Sequence, residues 1–208
     1  MKDDMPVTDR VINFSEAGVT VEDAELVKRF KSGDESAFTL IVKRYQPKLQ
    51  RVAAILLKNE QDAMDIVQDV FVKAYFKLNL FREDASLYTW LYRILYNGCI
   101  SFLRRKKIVT FLSFDNDENN EFSFPSNEPV PDEVFERSEI MNAVSGAMSK
   151  LPLRQRTAFA LKQLNGLKFS EISGIMGITE GAAKASYFHA VKKLQSMLKS
   201  YGEDYGMR

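Results

Sequence analysis

Between Ser113 and Glu139 the chain carries Asp115, Asp117, Glu118, Glu121, Glu128, Asp132, Glu133, Glu136 and Glu139 against Arg137 alone, with prolines at 125, 129 and 131. Such a stretch has too little apolar surface to bury and too many breaks for regular structure, so it divides the chain into two blocks that must each build a core. In both blocks apolar residues recur at spacings of three and four, the period of a helix. The expected fold is therefore all-α: two small helical domains, 22–110 and 138–201, joined by an acidic flexible linker at 111–137. A flexible extension, 1–21, precedes them and a short tail, 202–208, follows. With 208 residues, 45% of them apolar, there is material for both cores. Phe111, Phe114, Phe122 and Phe124 are too many aromatics for an inert spacer, and point to an extended chain that docks.

The net charge is only +1, which as a total argues against nucleic acid; its distribution argues for it. The first block closes on Arg104, Arg105, Lys106 and Lys107, and the second is basic throughout. The one cysteine, Cys99, has no partner for an internal disulfide, and one histidine, His189, makes no zinc site in its company. No metal and no cofactor is expected. The opening MKDDMPVTDR lacks the apolar core of a signal peptide, and the run Val52 to Leu57 is far too short to span a bilayer. The expected location is the cytoplasm.

In the first block Leu26, Val27 and Phe30 begin the helical period, and Ser32-Gly33-Asp34 closes one helix and caps the next. Pro47, inside the following run, predicts a kink or a fresh helix start. Beyond the polar break Asn59 to Asp62, Ala63 to Leu78 is the clearest amphipathic helix, with Val67, Val70, Phe71, Ala74 and Leu78 as its core stripe. Asp65, Gln68 and Asp69 fall on the other face, and by themselves read as a solvated surface. From Phe81 to Lys107 aromatic side chains stand among cations. That mixture suits nucleic acid, because cations displace counterions from phosphates and aromatic faces stack on unpaired bases. Single-stranded DNA is the first partner to consider. Arg82, Glu83, Asp84 and Ala85 form a polar loop leading into a helix at Ser86. Trp90 lies with Leu91 and Ile94 at core spacing, while Arg93 and the 104–107 cluster suit phosphates. Asn97 reads either as a helix-end cap beside Gly98 or as a group that contacts a base edge, since its amide both donates and accepts.

The second block starts a helix at Leu151-Pro152-Leu153 and ends it at Asn165-Gly166. Another runs from Phe169 to Met176; Gly177-Ile178-Thr179 then makes a tight turn with a capping threonine into a long helix from Glu180. This is a helix-turn-helix.

Two passages, DIVQDVFVKAY and FREDASLYTWLYRILYN, resemble region 2 of the bacterial extracytoplasmic-function sigma factors, the small two-domain members of the sigma-70 family. That resemblance spans Glu22 to Lys107, and LPLRQRTAFALKQLNGLKFSEISGIMGIT with EGAAKASYFHAVKKL resembles region 4. It implies a promoter-recognition subunit of RNA polymerase. By the family pattern Asp65, Gln68 and Asp69 dock on a basic coiled coil of the polymerase's largest catalytic subunit. Phe81 and the loop Arg82 to Ser86 take up a base flipped from the −10 element, Asn97 lines that pocket, and Arg93 with Arg104, Arg105, Lys106 and Lys107 holds phosphates. The linker threads towards the active-site channel and RNA exit path. Lys184, Ser186, Tyr187, His189 and Lys192 meet the −35 element from the second helix of the helix-turn-helix. Partners implied are core RNA polymerase, including its flap region, promoter DNA and an anti-sigma factor. The family usually has arginines where Ser186, His189 and Val191 stand here, so fewer fixed cations anchor the −35 duplex.

Two other accounts compete. A stand-alone helix-turn-helix regulator would bind an operator duplex without polymerase, but leaves the region 2 words unexplained. A metal-dependent nucleic-acid enzyme would use Asp65 and Asp69, one helical turn apart; no nucleophile, glycine-rich loop or histidine accompanies them, and the chain is expected not to be an enzyme.

Overall fold

A computed structural model describes residues 21–82, 86–113 and 143–204, with side chains for 21–82, 86–108 and 143–199. Outside these residues lie the N-terminal extension up to residue 20, Glu83, Asp84 and Ala85, and most of the expected linker. All the described regular structure is helical. The first unit comprises α1 (Asp23–Lys31), α2 (Glu35–Leu57), α3 (Glu60–Lys77), a 3₁₀ turn (Leu78–Leu80) and α4 (Leu87–Ser113). In the second are α5 (143–149), α6 (Leu153–Asn165), α7 (Phe169–Met176) and α8 (Glu180–Asp204).

Local chemistry sets the boundaries. Asp34 accepts from the Ser36 amide and is forked by Arg29, with Nη2 at 2.6 Å, fastening the turn between α1 and α2. The hydrogen bond from Ser36 and then that from Arg29 pull the Asp34 carboxyl below its usual range. The helix α2 runs unbroken past Pro47, so no new helix starts there. Pro47 is exposed, and the buried face Ile41, Tyr45, Leu49 and Val52 carries the helix across the missing N–H. Lys58 ends α2 in the left-handed region, φ 59°, and Asn59 then caps α3 by accepting from the Asp62 amide at 2.8 Å. Phe30, Phe38, Phe71 and Tyr75 meet edge-on or tilted at the α1 end of the bundle, ring centres 5.2–6.4 Å apart. Trp90 is half-buried against Phe81, 5.2 Å between centroids, in keeping with a packing role.

In the second unit Gly166, φ 66°, closes α6, and the carboxylate of Glu171 caps α7 by accepting from the Lys168 amide at 2.8 Å. Gly177, φ 63°, turns the chain, and Thr179 Oγ1 accepts from the Ala182 amide at 3.2 Å to start α8. The helix-turn-helix is formed by α7 and α8.

The units pack together, α6 across the end of α2 and α7 along α4. Arg156, only 5% exposed, sits in that seam. Its guanidinium donates within its own unit to the carbonyls of Ser149 (3.2 Å) and Leu151 (3.3 Å), and across the seam to that of Leu56 (2.9 Å). Burial pulls its pKa down to about 10, still charged at neutral pH. The Tyr92 hydroxyl donates to Asn165 Oδ1 at 3.1 Å, a further link between the units. Among the described residues Tyr88 Oη, Gln155 Oε1, Arg156 Nε and Asn165 Nδ2 are buried without a hydrogen-bond partner.

Candidate nucleic-acid interface

Three surfaces hold the candidate residues. On the first, the outer face of α3, Asp65, Gln68 and Asp69 are all exposed, and Asp65 receives a 3.4 Å hydrogen bond from Gln61. Beside them runs an apolar ridge that the sequence reading passed over: Met64, Val72, Phe76 and Leu80 are exposed, at four-residue steps that include Gln68. The spacing was legible as a stripe on one helical face, opposite the core stripe.

The second surface is on α4. Ser86 caps the helix, its Oγ accepting from the Thr89 amide at 3.1 Å. Arg93, Asn97, Ser101 and Arg104 are exposed and follow one another at helical spacing, so an amide lies between two guanidinium groups on one face. Because α4 continues to Ser113, Asn97 stands in the helix interior and caps no end. Gly98 faces α3, where a Cβ would meet the Ile66 side chain at 3.4 Å, about van der Waals contact. Phe81 is 7% exposed, packed under Trp90, and its carbonyl accepts from Lys31 Nζ at 2.9 Å. Its ring therefore offers no open stacking face. Arg82 is exposed, as are Arg105, Lys106 and Lys107; Glu83, Asp84 and Ala85 lie outside the described residues. Lys106 pairs with Asp62 at 3.2 Å and leans over Phe102. Cys99 is buried behind this face, and burial pushes its thiol up to about 12, so it carries no thiolate at neutral pH.

The third surface is the first half of α8. Lys184, His189 and Lys192 are exposed, and Lys184 also pairs with Glu180 at 2.8 Å. Ser186 is half-buried and donates back to the Ala182 carbonyl at 2.8 Å. Tyr187 turns inward: it stacks on Phe159 at 6.1 Å, meets Phe169 edge-on at 5.6 Å, and accepts from Gln163 at 2.9 Å. It is half-buried and packs against α6 and α7. Phe188, which the sequence reading did not single out, is 63% exposed between Lys184 and Lys192, where a ring can meet a thymine methyl. On the far side of α8, an apolar groove of about 600 Å³ runs between α5, α6 and α8, lined by Val144, Phe159, Tyr187, Leu194 and Leu198.

Among the described residues no three His, Cys, Asp or Glu side chains converge on a possible metal position, and no helix is long and apolar enough to cross a membrane. The arrangement offers cations, an amide and apolar faces to a polyanion.

The sequence matches two family profiles, Sigma-70 region 2 over residues 41–108 and Sigma-70, region 4 over residues 141–194. Among curated relatives, the ECF RNA polymerase sigma-E factor of Haemophilus influenzae is 32% identical over 183 residues, 85% of this chain and 95% of that protein. The sigma-E factor of Escherichia coli K12 is 33% identical over 187 residues, covering 85% and 94%. The RNA polymerase sigma-H factor of Pseudomonas aeruginosa is 32% identical, covering 86% and 94%. Among solved structures, the sigma factor RpoE of Bartonella quintana, in complex with the anti-sigma factor NepR, superposes with a TM-score of 0.67 at 25% identity, covering 78% of this chain and 96% of that one. CnrH in complex with the cytosolic domain of CnrY gives a TM-score of 0.63 at 24% identity, over 86% and 97%, a likeness of fold.

Proposed function

This chain belongs to the extracytoplasmic-function sigma factors of the sigma-70 family, and we propose a division of that work among its three surfaces. It is an RNA polymerase sigma factor, acting as a non-catalytic subunit in the cytoplasm, where the polymerase and its promoters are. Asp65, Gln68 and Asp69 dock on core polymerase, an exposed acidic and amide face suited to charge-assisted bonds with a basic partner. Arg93, Asn97 and the cations 104–107 take the −10 strand: the guanidinium and ammonium groups hold phosphates while the amide meets a base. Lys184, His189, Lys192 and Phe188 enter the −35 groove from α8. The apolar groove beside α8 is the seat for the polymerase flap region, and an anti-sigma factor would act by covering these docking faces.

The observation that carries this proposal is the separation on α3 and α4 of an acidic face from a cationic one within a single helical bundle. One protein can thereby hold a basic polymerase element and a polyanionic strand at once. Asp69→Arg should lower co-purification with core polymerase by about tenfold or more while leaving far-ultraviolet circular dichroism unchanged, as expected for an exposed charge reversal. Undiminished assembly would exclude this face as the docking site.

A further inference from the structure

The acidic face of α3 and the cationic face of α4 meet at one ion pair. Asp62 stands in the first turn of α3, and Lys106 belongs to the cationic run 104–107 of α4. The Lys106 ammonium lies 3.2 Å from Asp62 Oδ2. It also leans over the Phe102 ring, 5.8 Å from its centre, which keeps the lysine stem along α4. By helical phase Asp62 continues the docking row. Asp62, Asp65 and Asp69 follow at steps of three and four, so their carboxylates share one side of the helix. Asp62 differs in depth, its side chain 23% exposed beneath a lysine that is 53% exposed. Its backbone amide is held by Asn59 Oδ1 at 2.8 Å, so the lysine, on a flexible four-carbon stem, is the member of the pair that can move.

Each member of this pair has a second call on its charge. A basic polymerase element laid along Asp65 and Asp69 reaches Asp62 within about 5 Å along the helix axis, less than one further turn. A DNA strand held by Arg104, Arg105 and Lys107 passes Lys106, whose ammonium suits the intervening phosphate. While Asp62 and Lys106 neutralise each other, neither serves its outside partner fully. An ion pair this accessible to water is weak, so a cationic polymerase surface or a phosphate can displace it.

We propose that Asp62 is a further polymerase-docking residue and that its pair with Lys106 couples the two surfaces: docking on core polymerase takes up Asp62 and turns Lys106 over to the −10 strand. The inference rests on the division of surfaces proposed above. Linkage makes the coupling reciprocal, so strand binding opens Asp62 to polymerase in the same measure. The isolated protein therefore holds a DNA strand less well than it does after assembly, which favours strand capture by the complete enzyme.

The test is a double-mutant cycle on the full chain, with Asp62→Asn, Lys106→Gln and the two together. Two affinities are read for each: that of the isolated protein for a short fluorescein-labelled single-stranded DNA of random sequence, and that for core polymerase. Removing either member should strengthen the binding that the other serves. Asp62→Asn should tighten strand binding by about twofold to fivefold, the range of an exposed ion pair, and loosen core binding. Lys106→Gln should tighten core binding by the same order and loosen strand binding. Each gain should vanish when the second substitution is present. A gain that persists there is a bulk charge effect and overturns the proposal. So does a single variant in which the expected gain is missing, the result if the pair were only a structural tie. Failure of the sigma-factor role is seen separately, as a parent protein that does not assemble with core polymerase.

Discussion

Tyr187 and Phe188 are neighbours on α8 with opposite surroundings, and the difference follows from helical phase. Ala183, Ala190 and Leu194 are buried, and Tyr187 completes their spacing of four, three and four; Phe188, one step of about 100° on, faces out. That stripe was present in EGAAKASYFHAVKKL, and Tyr187 entered the expected −35 set through the resemblance of this helix to region 4. Its inward bond to Gln163 depends on α6, which no local pattern reports. Substituting Tyr187 with Ala should cost about 3 kcal/mol of stability, read from chemical denaturation. Phe188→Ala should leave stability within about 0.5 kcal/mol and weaken binding to a −35 duplex in a mobility-shift titration. The reverse pattern would mean that the assigned faces of α8 are exchanged. Asn97 illustrates the opposite case. Its amide is exposed, as a contact with a base edge would need, and only the length of α4 removes the capping alternative.

At the scale of elements, helix ends marked by small or hydroxyl-bearing residues were legible. Asp34, Asn59, Ser86 and Thr179 each cap the helix that follows, and Gly166 and Gly177 take left-handed backbone at the helix ends. The end of α2 was not, because the residue in the left-handed region there is Lys58, where the habit of chains is glycine. A side chain in that region costs about 1 kcal/mol or more, part of which is offset by the smaller unfolded-state entropy of a non-glycine residue. Burial and then the charge of Arg156 also lower the Lys58 pKa, so its ammonium is poorly accommodated. Lys58→Gly should therefore stabilise the protein by about 0.5–1 kcal/mol, seen as a rise of roughly 1–4 °C in the melting temperature. A fall would show that the Lys58 side chain makes a compensating contribution. Pro47 teaches the converse lesson: a residue that breaks isolated helices is tolerated when the opposite face is buried.

For the whole molecule, the division into two helical units could be read from the acidic, proline-marked stretch, and the helix-turn-helix from its glycine and threonine. Their packing against one another could not. Arg156 looked like one more member of a basic surface, and its inward turn depends on the backbone carbonyl of Leu56, a hundred residues earlier in the chain. Hydrogen bonds from a charged donor contribute about 1.5–3 kcal/mol each, so the bond from Arg156 to the Leu56 carbonyl ties the units together. Arg156→Glu would set a carboxylate against that carbonyl and should part the units. Small-angle X-ray scattering should then give a larger radius of gyration, with helical circular dichroism retained. An unchanged radius would mean that the contact of α7 with α4 suffices to hold them.

Arg156 and Asn165 bridge the seam, and Arg156 Nε and Asn165 Nδ2 are buried there without a hydrogen-bond partner. Parting the units would return these groups to water, which lowers the cost of opening relative to a purely apolar seam. Because parting exposes surface, solutes excluded from protein surfaces favour the closed arrangement.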